Sequence, residues 1–182
     1  MATEIYLSPD VDNYTMPTGE LYFTREGQTE EVHMGNASKV ELNLEVKLAT
    51  HYSSMGGIRR KDKTVVTEAE ATFKATLDEW TPDNIALALL ADTTSNTEED
   101  VVLEIGAAEL VYGSIRFEAR NDIGRRVNYV LPSVAIKPSK ALALVDDGFS
   151  VIDIEGDVQV TKVGNKYRFG TATFVQTENI TE

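Results

Sequence analysis

The sequence predicts a mainly β protein: one β-sandwich or barrel-like domain with two long antiparallel strands, one α-helix at about 82–91 and a long inter-strand loop at 49–63. Three observations carry this. Apolar and polar residues alternate over two unusually long stretches, a single helical segment has both a start signal and an unbroken apolar run, and Gly and Asp/Asn turns punctuate the second half. The chain has 182 residues, of which 42% are hydrophobic and 26% charged, enough for a single domain with a real core.

In "SKVELNLEVKLAT", Val40, Leu42, Leu44, Val46 and Leu48 fall in one phase and Glu41, Asn43, Glu45 and Lys47 in the other. A period of two marks a half-buried antiparallel strand. In "TVVTEAEATFKATLD", Val65, Ala69, Ala71, Phe73, Ala75 and Leu77 oppose Glu68, Glu70, Thr72, Lys74, Thr76 and Asp78 in the same way. A strand of that size would span roughly 45 Å, more than twice the usual length. Between them lies "HYSSMGGIRRKDK", which puts Arg59, Arg60, Lys61 and Lys63 beside the Gly56-Gly57 pair in a chain with 30 acidic and 17 basic residues. With only Tyr52, Met55 and Ile58 as large apolar residues, this connection is expected to be mobile before it meets a partner.

The helix follows in "WTPDNIALALLAD". Thr81 suits the N-cap, Pro82 the first helical position and Asp83 the positive end of the dipole. From Ile85 to Ala91, including Leu87, Leu89 and Leu90, no residue is polar, so the helix should be covered on more than one side. "TTSNTEED" reads as a polar loop, and strands are expected at about 109–119, 126–136, 141–145, 150–154, 158–163 and 166–175. The end, 176–182, is a polar tail.

Composition excludes several function classes. A net charge of -13 argues against gripping polyphosphate, whose affinity comes from cations displacing counterions. Without cysteine there are no disulfides or thiolate metal sites, which suits assembly in a reducing cytosol. The start "MATEIYLSPD" lacks a signal-peptide pattern and no apolar run approaches a membrane span, so the expectation is a soluble chain with no membrane anchor. His33 and His51 lack metal-ligand spacing, and Ser53 and Ser54 sit in no nucleophile elbow. The acidic group Asp146, Asp147, Asp153, Glu155 and Asp157 lacks the EF-hand spacing and reads as solvated turns. The sequons at Asn13, Asn36 and Asn179 mean little without secretion. The expectation is a protein that is not an enzyme and uses no cofactor or metal. A carbohydrate- or receptor-binding sandwich is the alternative, with Tyr22, Phe23, Tyr112, Tyr129 and Tyr167 as a candidate aromatic strip.

"GELYFT" (Gly19 to Thr24) and the run "GNASKVELNLEVKLATHYSSMGGIRRKDKTVVTEAEATFKATLDEWTPDNIALALLAD" (Gly35 to Asp92) resemble the major tail tube proteins of long-tailed, siphovirus-like bacteriophages. The resemblance covers the first half; beyond Thr93 only size and strand content match. It implies a tail-tube-like domain in a virion protein assembled in the bacterial host cytoplasm, with another virion structural protein as the alternative alongside the binding sandwich. Subunits would form hexameric rings stacked into a tube, sheets from six subunits joining as an inner barrel around a channel for DNA. A tape measure protein inside and proteins at the tail ends would be partners. In that setting Glu41, Asn43, Glu45, Glu68, Glu70, Thr72 and Lys74 would line the channel, and carboxylates there would let DNA pass without adhering. The loop residues His51, Tyr52, Met55, Gly56, Gly57, Ile58, Arg59, Arg60, Lys61 and Lys63 would meet the next ring. Ile85, Leu87, Leu89 and Leu90 would be buried on assembly.

Overall fold

The computed structural model describes residues 13–96, 100–107, 109–138, 141–145 and 147–175. Twelve strands and one helix follow in chain order: β1 (Gly19–Arg25), β2 (Val32–His33), β3 (Ala37–Ser53), β4 (Arg60–Leu77), α1 (Pro82–Ala88), β5 (Asp92–Asn96), β6 (Val101–Glu104), β7 (Val111–Ala119), β8 (Val127–Pro138), β9 (Ile152–Val158), β10 (Thr161–Val163), β11 (Lys166–Arg168) and β12 (Thr171–Phe174). One antiparallel sheet runs β2-β1-β7-β8-β9-β4-β3, with β12 also on β8; β5–β6 and β10–β11 are separate hairpins. The mainly β, barrel-like expectation holds.

Alternation explains the core. In β9, Ile152, Ile154, Gly156 and Val158 are buried while Asp153, Glu155 and Asp157 point the other way. Leu21 and Phe23 of β1, Ile115 of β7, Leu131 and Val134 of β8 and Phe73 of β4 join them in one apolar cluster. The sheet curls, so that Val40, Leu42 and Phe73 look across an open apolar cavity of about 330 Å³ at Ile115, Phe117, Tyr129 and Leu131. At two strand positions this packing needs glycine: a Cβ on Gly113 would lie 2.4 Å from the Phe23 ring, and one on Gly156 2.5 Å from Val134.

The helix starts where the sequence places it. The Thr81 hydroxyl accepts from the Asn84 N–H at 3.2 Å, and Asn84 Nδ2 donates to the Met34 and Glu79 carbonyls, pinning the first turn to the start of β3. It ends earlier than expected, at Ala88 rather than about 91. Leu90 takes a left-handed φ of 47° and the Ala91 N–H reaches back to the Ala86 carbonyl at 2.8 Å, a Schellman closure that needed no glycine and so gave no stop signal. In "TTSNTEED", expected as a loop, residues 93–96 belong to β5, which pairs with β6. No strand forms over the described part of 141–145, β9 runs on to Val158, and 166–175 divides into β11 and β12.

Candidate assembly surface

The two long strands form a hairpin whose registers match Glu41 with Lys74, Asn43 with Thr72, Glu45 with Glu70 and Lys47 with Glu68. Directly opposed residues share a face. All seven polar positions named from the sequence therefore lie on one face, and all are exposed except half-buried Thr72. The opposite face carries Leu42, Leu44, Val46 and Leu48 of β3 against Phe73, Ala71, Ala69 and Val66 of β4.

One phase reverses. Thr67 has no partner between the Lys47–Glu68 and Leu48–Val66 pairs, and its hydroxyl donates to the Lys47 carbonyl at 3.1 Å. This bulge moves Val66 onto the apolar face and Val65, expected there, onto the polar one opposite Ala49. The connection also differs in extent. Pairing continues through His51–Lys63 to Ser53–Arg60, so strand ladder replaces most of the 49–63 loop and leaves 54–59 as the tip. Gly56 and Gly57, with φ of 91° and 85°, make the tip's turn.

Beyond the point where β9 ends opposite Ala71, the hairpin is a two-stranded ribbon. On its apolar side Leu44 is 60%, Val46 50% and Leu48 58% exposed. Among the described residues the outer edge of β3 has no neighbour in the sheet, leaving backbone groups that other chains can extend.

On the polar side the charges form a network that sequence reasoning only half found. Glu155 and Asp157 of β9 and Lys137 of β8 continue the row begun by Glu41 and Lys74. Lys74 lies 3.1 Å from Glu155, and Lys137 lies 3.4 Å from Glu155 and 2.7 Å from Asp157. Hydrogen bonding from Lys74, then Lys137, holds the Glu155 carboxyl below its usual range. The Lys137 ammonium is raised, chiefly by its hydrogen bond to Asp157. Further out, Glu45 and Glu70 oppose each other, with Lys47 bonded to Glu68 and 3.9 Å from Glu70. Carboxylates outnumber lysines on this face, but it is mixed rather than uniformly acidic. The signal that could have revealed β9's share is the alternation in "IDIEGDV" itself.

At the tip, His51 Nδ1 is 2.7 Å from Asp62 and the Arg59 guanidinium lies over the Tyr52 ring at 5.5 Å. Among the described residues no carboxylate pairs with Arg59, Arg60, Lys61 or Lys63. The helix expectation is modified: Ala86 and Leu87 are buried and Ile85, Leu89 and Leu90 half-buried in the single chain. Its own chain, through β6, β8 and β9, already supplies most of the cover.

The aromatic strip is not assembled. Phe23 is 4% exposed in the core. Tyr129 pairs with Phe117 on the inner face, whereas Tyr22 pairs with Arg116 on the outer one. There Arg116 stacks 4.0 Å above Tyr22 and bonds Glu31 and Glu118, while Arg120 bonds Glu20. These ion pairs raise Arg116 and lower Glu31. Tyr167 sits on the separate β10–β11 hairpin near Lys162. Asp146, Asn179 and the tail 176–182 lie outside the described residues. Among the described residues, no group of three or more His, Cys, Asp or Glu could hold a metal ion, and no helix is long and apolar enough to cross a membrane.

The fold is similar to that of a chain in the cryo-EM structure of the anti-feeding prophage baseplate, 6-fold symmetrised. The two match with a TM-score of 0.51 over 91% of this chain and 96% of that one, at 9% identity. The protein belongs to the family described as protein of unknown function UCP028589, whose model matches residues 14–116. That span contains β1 to β4, α1 and most of β7. No curated protein matches the sequence.

Proposed function

We propose that this protein is a structural, non-enzymatic component of a phage-tail-like particle, which self-assembles into hexameric rings that stack as a tube. The observation that carries the reading is the ribbon. Beyond β9 it exposes Leu44, Val46, Leu48 and Val66 on one side and a charged face on the other. A single chain gains nothing by projecting such a face into water. In a closed barrel of several copies the apolar side packs on an outer layer, the polar side faces a wet lumen, and the free β3 edge is paired. The mixed but net acidic lining then lets DNA pass without capture, since few cations are left unpaired to displace counterions. A tape measure protein within the lumen and tail-end proteins are the further partners of this reading, in a virion assembled in the bacterial cytoplasm.

The similarity to a baseplate chain supports a second position for the same protein, as a ring at the tail end. Electron microscopy of the concentrated protein separates the two. Hollow rods of variable length support the tube, discrete rings that never elongate support the tail-end ring, and monomers at every concentration and salt refute both.

A further inference from the structure

The hairpin has two unlike ends. Its tip end carries Arg59, Arg60, Lys61 and Lys63 together with Met55, which is 90% exposed. At its base, where Ala37 pairs with Leu77 and Leu77 with Ile152, the chain turns through Asp78, Glu79 and Asp83, three acids in six residues with no base. Asp78 and Glu79 accept hydrogen bonds from Asn36. No cation pairs with any of the three among the described residues.

Beside this corner the segment entering β9 presents Val145, 94% exposed, and Phe149, fully exposed at 102%. On either side of them Leu142 packs on the core and the Ser150 carbonyl accepts from the Trp80 indole at 3.1 Å. A large aromatic side chain held in water between two anchors is an unfilled contact. Each end thus pairs exposed apolar groups with unpartnered charge, and the charges are opposite. Along β4 they stand 17 residues apart, roughly 56 Å at strand spacing.

We propose that the cationic tip of one copy seats on the acidic, Phe149-bearing base of a second copy, and that this is the contact between successive rings. The inference rests on the tube reading and names the surface that receives the tip. A contact between two different surfaces at opposite ends of a subunit does not close on itself; repeated, it propagates as a stack. One exposed ion pair contributes little, but six tips engage in parallel at each junction.

Charge reversal with rescue tests this, since the tip is solvent-exposed and tolerates change. R59E/R60E should leave folded subunits that form rings but lose rods. Adding E79R/D83R to the same chain should restore the rods, whereas E79R/D83R alone should lose them; Asp83→Arg alone serves if the loss of the Glu79–Asn36 bond unfolds the base. Phe149→Asp should also give rings without rods. Rods that survive R59E/R60E, or a combined variant that stays at rings, overturn the pairing while leaving the tube reading intact. A wild-type protein that forms neither rings nor rods overturns the tube reading and this contact with it.

Discussion

Replacing Leu44 and Val46 by threonine separates what the free chain needs from what the assembly needs. Threonine is β-branched and favours strand, so the ribbon should persist. In the free chain Leu44 is 60% and Val46 50% exposed, so about half of each side chain's burial is still to be gained. Full burial of such a side chain is worth ~1.5–3 kcal/mol, so the remaining half is roughly 0.75–1.5 kcal/mol each, or about 1.5–3 kcal/mol for the pair. At about 1.4 kcal/mol per decade, association per subunit should weaken ~10- to 150-fold. The Tm of the monomer should move by only a few degrees, because a chain of this size shifts about 2–4 °C per kcal/mol. Sedimentation velocity over a concentration series measures the first quantity and differential scanning fluorimetry the second. A steep fall in Tm with unchanged association would refute the reasoning, since it would mean the chain covers this face itself.

The buried contacts give contrasting predictions. Leu87, 5% exposed under the sheet, should cost about 2–5 kcal/mol when replaced by alanine, seen as a large drop in monomer Tm before any effect on assembly. Thr81→Ala removes the N-cap acceptor of Asn84 and should cost ~1 kcal/mol by denaturant unfolding. Glu155 has its folded pKa lowered, first by Lys74 and then by Lys137. Its contribution is therefore present above the unfolded carboxylate value and lost as pH falls through the folded one, and Glu155→Gln should flatten the acid limb of Tm against pH.

The sequence made β3 and β4 legible because their alternation is regular where it faces one core. It failed where local pattern and tertiary pairing disagree. The Thr67 bulge inverts the phase of Val65 and Val66 without any glycine to announce it. The polar tip strands, His51 to Ser53 with Arg60 to Lys63, hold together through ladder bonds that side-chain polarity does not report. The β5–β6 hairpin lacks apolar alternation in its first strand. The exposure of Val145, expected within a strand at 141–145, and of Phe149 was not legible, because exposure of an apolar residue is a property of the fold and not of its neighbours in sequence. Glu41, Asn43, Glu45, Glu68, Glu70, Thr72 and Lys74 share one face, as their alternation implies, but alternation does not say what that face meets.

The ribbon's own stability supplies the last test. Isolated two-stranded ribbons are marginal in water. From about Glu45 outward this one has no third strand, two bulges and a directly opposed Glu45–Glu70 pair that repels. Against these stand exposed pairs such as His51–Asp62, each weak. From Ala71 to Leu77, by contrast, β4 is hydrogen-bonded on both sides and its alternate residues are buried. The two halves of one strand should therefore exchange amide protons at very different rates in the free subunit, 60–70 quickly and 71–77 slowly. On assembly the outer half gains apolar cover and a neighbour for its edge, so its protection should rise toward that of the inner half. Hydrogen exchange before and after polymerisation measures this directly. If the outer half is already as protected as 71–77 in the free subunit, the ribbon is stable alone and its exposed face needs a different explanation.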